Sequence, residues 1–444
     1  MRVLAVIQRY GRGFIGGAER SCAELSERLV GRGHTVEVLT SHASTYGDWQ
    51  VGFATGLSVE NGVTVHRLPV ETRMDRATFE PFNQRVIGAA LQGRHVPMLA
   101  QCEWLQMLGP VMLGLDAWVD DNIDRFDVIC VHTLGYWHAS ATIGAVVGRR
   151  PVVLHPLAHD EPNLTLPVFD NALLGADAFA FLTPEERLLV EGRTRPSRRP
   201  SAVIGLGVDP DAPASTAARL SVRGRLGLAD VDPFVLCAGR VDRDKGVHAL
   251  AAAWEEAHRR GVDLPLLVVA GEIVHELVSS AKVHVTGPLP RAELTAAMAA
   301  SIALVHPSVF ESFAIVLTEA WAQGTPTLVN AACDVLAGQC RRSGGGLAWH
   351  NLAELHEQIT ALRSSPPLRA TLGARGQRYV QEALRWDDVL DRYETLLASV
   401  VHDELRGRMP ARSGFGHQSS GLLTVVGPGV DPGTSRFSGA RSTN

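Results

Sequence analysis

The chain runs to 444 residues, 45% apolar and 20% charged, with 42 basic against 47 acidic side chains and a formal net charge of −5. That length suits about two to four domains with real cores, and the balanced charge offers no broad cationic face, so nucleic acid is not expected as a partner. Cys22, Cys102, Cys130, Cys237, Cys333 and Cys340 form no CxxC pair and fit a reduced cytosol. Met1 to Ile7 is too short for a signal-peptide core, and no stretch approaches the roughly 18 apolar residues of a membrane span.

Residues 3–7 read as a first strand that breaks into Gly11, Gly13, Gly16 and Gly17; an amphipathic helix at 18–30, stopped by Gly31 and Gly33, and a second strand at 36–39 follow. Strand, glycine loop, helix, strand is the opening of a doubly wound parallel sheet. Further short strands are predicted at 63–68, 128–132, 152–154, 179–182 and 203–204, which assigns one Rossmann-like domain to 1–205. Gly11-x-Gly13-x-x-Gly16 nominally spells a dinucleotide fingerprint, yet the second strand runs out as Leu39-Thr40-Ser41-His42, with no acid for an adenosine ribose. A nicotinamide oxidoreductase is therefore the lesser alternative. Gly16 and Gly17 instead suit close approach of backbone to a ligand at a helix N-terminus.

His155 and His159 would suit zinc on one helix face, but Pro156 and Pro162 argue against that helix. The loop carrying His159 and Asp160 is read as facing a cleft and touching a sugar, with a turn-forming His-Asp pair as the alternative. The Arg-rich stretch 193–199 could graze an anionic membrane, a solvated loop being the simpler reading. Pro210, Pro213 and polar neighbours mark a linker at 206–232. The pattern then restarts with a strand at 234–239, an Ala-rich helix reaching 257, and strands at 266–270, 283–285, 303–306 and 327–330, which gives a second Rossmann-like domain over 233–385. A helix at 386–405 follows, and 406–444, rich in Gly, Ser, Pro and Arg, reads as disordered tail.

Two clusters in the second half carry chemistry. Arg240 and Lys245 follow a strand and together suit a diphosphate; only Lys245 and Lys282 among the 42 basic residues are lysine, so a lysine here stands out. Asp242-Arg243-Asp244 could chelate a divalent ion, as could Asp230-Val231-Asp232, but the adjoining cations already supply the charge a metal would bring. Glu311 sits in a loop after His306-Pro307-Ser308, and a helix predicted from about 313 to 323 carries Glu319 two turns in, ended by Gly324 and Pro326. That helix is apolar nearly all round and should be buried, so Glu319 needs donors, either a bound ribose or an internal arginine. Its N-terminus offers the N–H groups of Phe313, Ala314 and Ile315 to a sugar or phosphate oxygen.

Gly16-Gly17-Ala18-Glu19, Ala238-Gly239-Arg240 with Lys245-Gly246, and His306-Pro307-Ser308 through Glu311 and Glu319 to Gly324-Thr325-Pro326 resemble the retaining GT-B glycosyltransferases of family 4, the glycosyltransferase group 1 family, over about residues 1–404. Gly205-Leu206-Gly207-Val208-Asp209 likewise looks like that family's Asn-Gly-Val-Asp turn, with Leu206 for the Asn. The resemblance implies two Rossmann-like domains facing a cleft, a nucleotide-sugar donor held by the second, and transfer with retention. It implies that Arg240 and Lys245 hold the diphosphate, Glu311 the donor sugar and Glu319 the ribose. His159, or alternatively His155, would touch the reacting sugar, and the helix from Trp386 would cross back onto the first domain. Ala314 stands where the family usually has Gly, and the usual Gly-Gly-x-Pro-Glu after Pro326 is absent.

The function expected is front-face transfer from a nucleoside-diphosphate sugar to a carbohydrate, lipid-linked or small-molecule acceptor in polysaccharide or glycoconjugate synthesis, without metal or other cofactor. The expected location is the cytoplasm, extending to weak contact with the inner membrane face. A GT-B sugar phosphorylase or nucleotide-sugar epimerase is the nearest alternative, and a non-catalytic nucleotide-sugar-binding module another.

Overall fold

The computed structural model describes residues 1–405 apart from 12, 15, 72–74, 195–198, 210–212 and 230–231, with backbone alone at 76 and 403–405. The 406–444 tail, residues 195–198 of the Arg-rich stretch 193–199, Pro210 and the Asp230-Val231 pair lie outside the described residues. Among the described residues the first half forms ten strands: β1 (Arg2–Val6), β2 (Thr35–Ser41), β3 (Gly56–Glu60), β4 (Val63–Leu68), β5 (Val70–Glu71), β6 (Val111–Met112), β7 (Val128–His132), β8 (Val152–His155), β9 (Ala178–Phe181) and β10 (Ser201–Val203). Eight of them make one sheet in the order β10-β9-β8-β7-β1-β2-β4-β3. All its pairings are parallel except that of β3 with β4. The second half contributes β11 (Phe234–Ala238), β12 (Leu266–Ala270), β13 (Val283–Gly287), β14 (Leu304–His306), β15 (Thr327–Asn330) and β16 (Gly346–Trp349), all parallel, in the order β13-β12-β11-β14-β15-β16.

Helices on both faces explain why the central strands read as continuous apolar runs: every residue of β7 and β11 is buried. The strand order reverses between β1 and β7 in the first sheet and between β11 and β14 in the second. Crevices at the carboxyl ends of such strands are where open α/β sheets bind ligands.

The sequence pattern missed β3, because its Leu57 and Val59 point outward at 67% and 66% exposure on an edge strand, missed the two-residue pair of β5 with β6, and missed β16, an edge strand fully buried only at Trp349. Arg193 and Arg199, the described arginines of the stretch considered for membrane contact, both bond groups of the protein itself. Arg193 donates to Asp170 at 2.6 Å, and Arg199 to the carbonyls of Leu173 and Leu174 at 2.7 and 2.9 Å. No described helix is long and apolar enough to cross a membrane.

The helix Trp386–Leu405 returns to the first sheet. Its Val389, Leu390, Tyr393, Leu396, Leu397 and Val400 recur every three or four residues and are buried. Tyr393 Oη lies 2.8 Å from His155 Nε2, and Arg392 donates to the Ile204 carbonyl at 2.7 Å. At the start of the helix, the Arg28 guanidinium lies 4.1 Å from the Trp386 ring centroid. A Cβ on Gly207 would come within 2.2 Å of that indole, so only glycine lets the chain between the halves pass. Gly207→Ala is expected to lower stability by about 1–3 kcal/mol, read as a lower urea midpoint, whereas Gly224→Ala, where a Cβ meets nothing, should show no such loss.

Candidate active site

At the end of β11 the chain turns through Gly239 into Arg240, and the loop closes at Gly246, whose φ of +73° makes it the left-handed N-cap of the helix Val247–Arg259. A Cβ at Gly246 would stand 3.0 Å from the Pro307 carbonyl, so glycine lets the β11 loop press against the loop after β14. This approach brings Lys245 to Glu311: Nζ lies 2.7 Å from Oε1 and 3.0 Å from the Phe310 carbonyl. His306 Nε2 stands 3.1 Å from the same oxygen. Burial works against a charge on Glu311, but Lys245, His306 and His159 outweigh it and hold the carboxyl well below its ordinary range.

The helix expected from 313 begins only at Ile315 and ends at Ala322, because Ala314 takes φ +62° and acts as its cap. Phe313 lies outside the helix, with its side chain buried. Glu319, 9% exposed, is met by arginines from both halves: Arg20 at 2.6 Å and Arg291. Both bond Oε1, and Oε2 has no hydrogen-bond partner among the described residues.

On the facing wall, Gly16 caps the helix Gly17–Gly31 in extended conformation. Glu19 in its first turn is 3% exposed and receives Arg9 at 2.7 and 3.0 Å and Gln8 at 3.3 Å. Past β8, His159 Nδ1 lies 2.8 Å from Glu161 Oε1. The backbone under this loop is tied to Glu186, which is wholly buried and accepts from Ala158 N at 3.1 Å and Leu182 N at 2.7 Å. Burial pushes the Glu186 carboxyl up to about 7, although the backbone donors pull the other way.

Both walls bound one cleft of about 2260 Å³, and Gly16, Gly17, His159, Arg240, Lys245, Glu311, Phe313, Ala314, Ile315 and Glu319 all line it. His155 does not: it is buried, stacked on His132 at 4.1 Å and engaged by Tyr393. Of the two histidines weighed, His159 alone faces the cleft. Asp242 and Asp244 also lie outside the lining, with Asp242 Oδ1 accepting from Asp244 N at 3.3 Å and standing 3.2 Å from His275 Nδ1. Among the described residues no three His, Cys, Asp or Glu side chains are placed to hold a metal ion. Sequence reasoning missed Arg9, Arg20, Tyr46 and Tyr136, which line the same cleft; a cation directly after β1 was a weak signal for Arg9, and the others had none.

Two doubly wound sheets that turn cationic strand-end loops onto one cleft define the GT-B architecture of sugar-transferring enzymes. Residues 15–212 match the family model described as Glycosyltransferase Family 4, and residues 219–379 the one described as Glycosyl transferases group 1. The chain is 26% identical over 409 residues to a D-inositol 3-phosphate glycosyltransferase of Xylanimonas cellulosilytica, covering 85% of this chain and 90% of the relative. It is 29% identical to D-inositol 3-phosphate glycosyltransferase 1 of Catenulispora acidiphila, covering 84% and 97%. Among solved structures it resembles sucrose-phosphate synthase of Thermosynechococcus elongatus, with a TM-score of 0.65, 17% identity and coverage of 92% and 99%. Anabaena HepE in complex with UDP-glucose has a TM-score of 0.64, 17% identity and coverage of 90% and 100%. The chain belongs to the GT-B glycosyltransferases of family 4, and it is a transferase enzyme.

Because the folded Glu186 carboxyl sits above its ordinary value of 4.5, its contribution to stability is full below that value and is lost as pH rises through about 7. Between about pH 5 and pH 8 the wild type is therefore expected to lose stability relative to Glu186→Gln, which does not ionise. Urea unfolding at both pH values measures this, and parallel pH profiles would contradict it.

Proposed function

We propose that the enzyme transfers a sugar, with retention of anomeric configuration, from a nucleoside-diphosphate sugar to a hydroxyl-bearing acceptor in polysaccharide or glycoconjugate synthesis. The observation that carries this reading is the convergence of Arg240, Lys245, Glu311 and the N-terminus of the helix Ile315–Ala322 in one cleft that His159 faces from the other sheet. In this reading Arg240 and Lys245 meet the diphosphate, Oε2 of Glu319 meets the ribose, and Glu311 and His159 meet the donor sugar. Two solved neighbours hold UDP-glucose and UDP-2-fluoro glucose, which makes UDP the first base to test.

Chemically, the bond from C1 to the diphosphate oxygen loosens while the acceptor oxygen approaches the same face. The new bond forms at C1, the acceptor proton passes to the departing phosphate, and Arg240 and Lys245 stabilise the charge that develops there. A covalent route would need a free carboxylate beneath C1. Glu311 suits that role poorly, since Lys245 and His306 both bond its Oε1. The two cations supply the charge of a metal, so we propose no cofactor. The free cysteines fit a cytoplasmic location.

Calorimetry with UDP, GDP and ADP, each with and without EDTA, should find one nucleoside diphosphate bound regardless of chelator. Glu319→Ala should weaken it by about tenfold, and Lys245→Ala should lower kcat on the order of a hundredfold. Binding abolished by EDTA would contradict the metal-free reading. With D-inositol 3-phosphate heading a panel of sugar and lipid-linked acceptors, NMR of the product should show the donor's anomeric configuration; inversion would refute the mechanism. Turnover that depends on inorganic phosphate would favour a phosphorylase instead.

A further inference from the structure

The cations that line the cleft are tied to carboxylates with one notable exception. Arg9 pairs with Glu19 at 2.7 Å, Arg20 with Glu319 at 2.6 Å, Arg28 with Asp209 at 2.5 Å and Lys245 with Glu311 at 2.7 Å. Arg240 makes no ion pair among the described residues; its guanidinium carbon instead lies 4.8 Å from the centroid of the Tyr46 ring. Tyr46 belongs to the loop after β2, so it reaches Arg240 from the opposite half of the protein.

That ring is held by neighbours from its own half of the protein. Its hydroxyl hydrogen-bonds to the hydroxyl of Tyr136, and its ring centroid lies 5.9 Å from that of Trp49 and 6.1 Å from that of Tyr136. Arg9, neutralised by Glu19, lies 5.4 Å from the same ring. The loop is anchored as well: Arg9 donates to the Ser44 carbonyl at 3.1 Å, and Trp49 Nε1 to the Leu108 carbonyl at 2.8 Å. Tyr46 is thus a fixed aromatic face in the cleft wall, 45% exposed.

We propose that Tyr46 is a positioning residue that holds Arg240 by its ring face, ready for the diphosphate of the donor. A π face and a carboxylate restrain an arginine differently. A carboxylate takes the N–H edge and the charge, and a diphosphate would have to displace it; a ring takes the flat face and leaves the N–H fork open. Leaving-group stabilisation by Arg240 therefore depends on a loop of the other sheet, which links the donor half to the acceptor half. This inference rests on the functional reading above, and deepens it.

The test measures binding of the nucleoside diphosphate that the wild type prefers among UDP, GDP and ADP, by calorimetry, on Tyr46→Phe, Tyr46→Leu, Arg240→Ala and the Leu/Ala double variant. Tyr46→Phe keeps the face and should stay within about twofold of wild type. Tyr46→Leu keeps apolar bulk without the π face and should weaken binding by about five- to twentyfold, as should Arg240→Ala. In the Arg240→Ala background Tyr46→Leu should add nothing further, because its effect runs through that arginine. A loss that multiplies in the double variant would mean a merely structural role and overturn the proposal, as would unchanged affinity in Tyr46→Leu beside a clear loss in Arg240→Ala. A wild type that binds none of the three nucleotides would overturn the functional reading first, and this inference with it.

Discussion

The helix Trp386–Leu405 is the constraint on which the site depends, because it leaves the second half of the chain and packs on the first sheet. Its polar contacts, such as Arg32 with Asp391 and Glu394, involve side chains that water reaches and contribute little by themselves. The apolar stripe from Val389 to Val400 does more, each large side chain removed from water stabilising by about 1.5–3 kcal/mol. With that stripe seated, the carboxyl ends of β1 and β7 and those of β11 and β14 bound one cleft. The geometry around Gly207 follows from the same packing, since the chain between the halves must pass beneath the Trp386 indole.

Within the cleft the dominant physical problem is charge taken out of water. A buried cation without a partner would cost several kcal/mol, and the protein answers with carboxylates of its own. Glu311 illustrates the balance: burial disfavours its charge, but Lys245 and His306 keep it ionised, and the stability that this provides is lost only as pH falls below the ordinary carboxylate range. The same pairing lowers its fitness as a nucleophile. Glu319 is compensated from both halves by Arg20 and Arg291, so this carboxylate is also a contact between the two sheets. Arg240 departs from this pattern, being held by a ring rather than an acid.

Much of the fold was legible along the chain because strands of a parallel sheet are buried on both faces. They appear as short apolar runs, and β1, β7, β8, β11, β12, β14 and β15 fell close to where those runs predicted. The edge strand β3 broke the rule by turning Leu57 and Val59 to solvent. The start of the helix at Ile315 was misplaced for a different reason. Alanine favours a helix, and nothing local announces that Ala314 will adopt a left-handed conformation that costs an L-residue energy.

Residue chemistry and spacing along the chain were enough to single out Arg240, Lys245, Glu311 and Glu319, all of which line the cleft, since strand-end loops and helix starts carry their own turn and charge signals. The sequence by itself determined the two-sheet α/β design, the family and this short set of charged residues. Only the tertiary structure decided which of His155 and His159 faces the cleft, that Asp242 and Asp244 stand away from it, and that Arg9, Arg20 and Tyr46 meet groups far along the chain. The physical reason is range: propensity and periodicity act over one or two turns, whereas an ion pair such as Arg20 with Glu319 joins residues that only packing brings together.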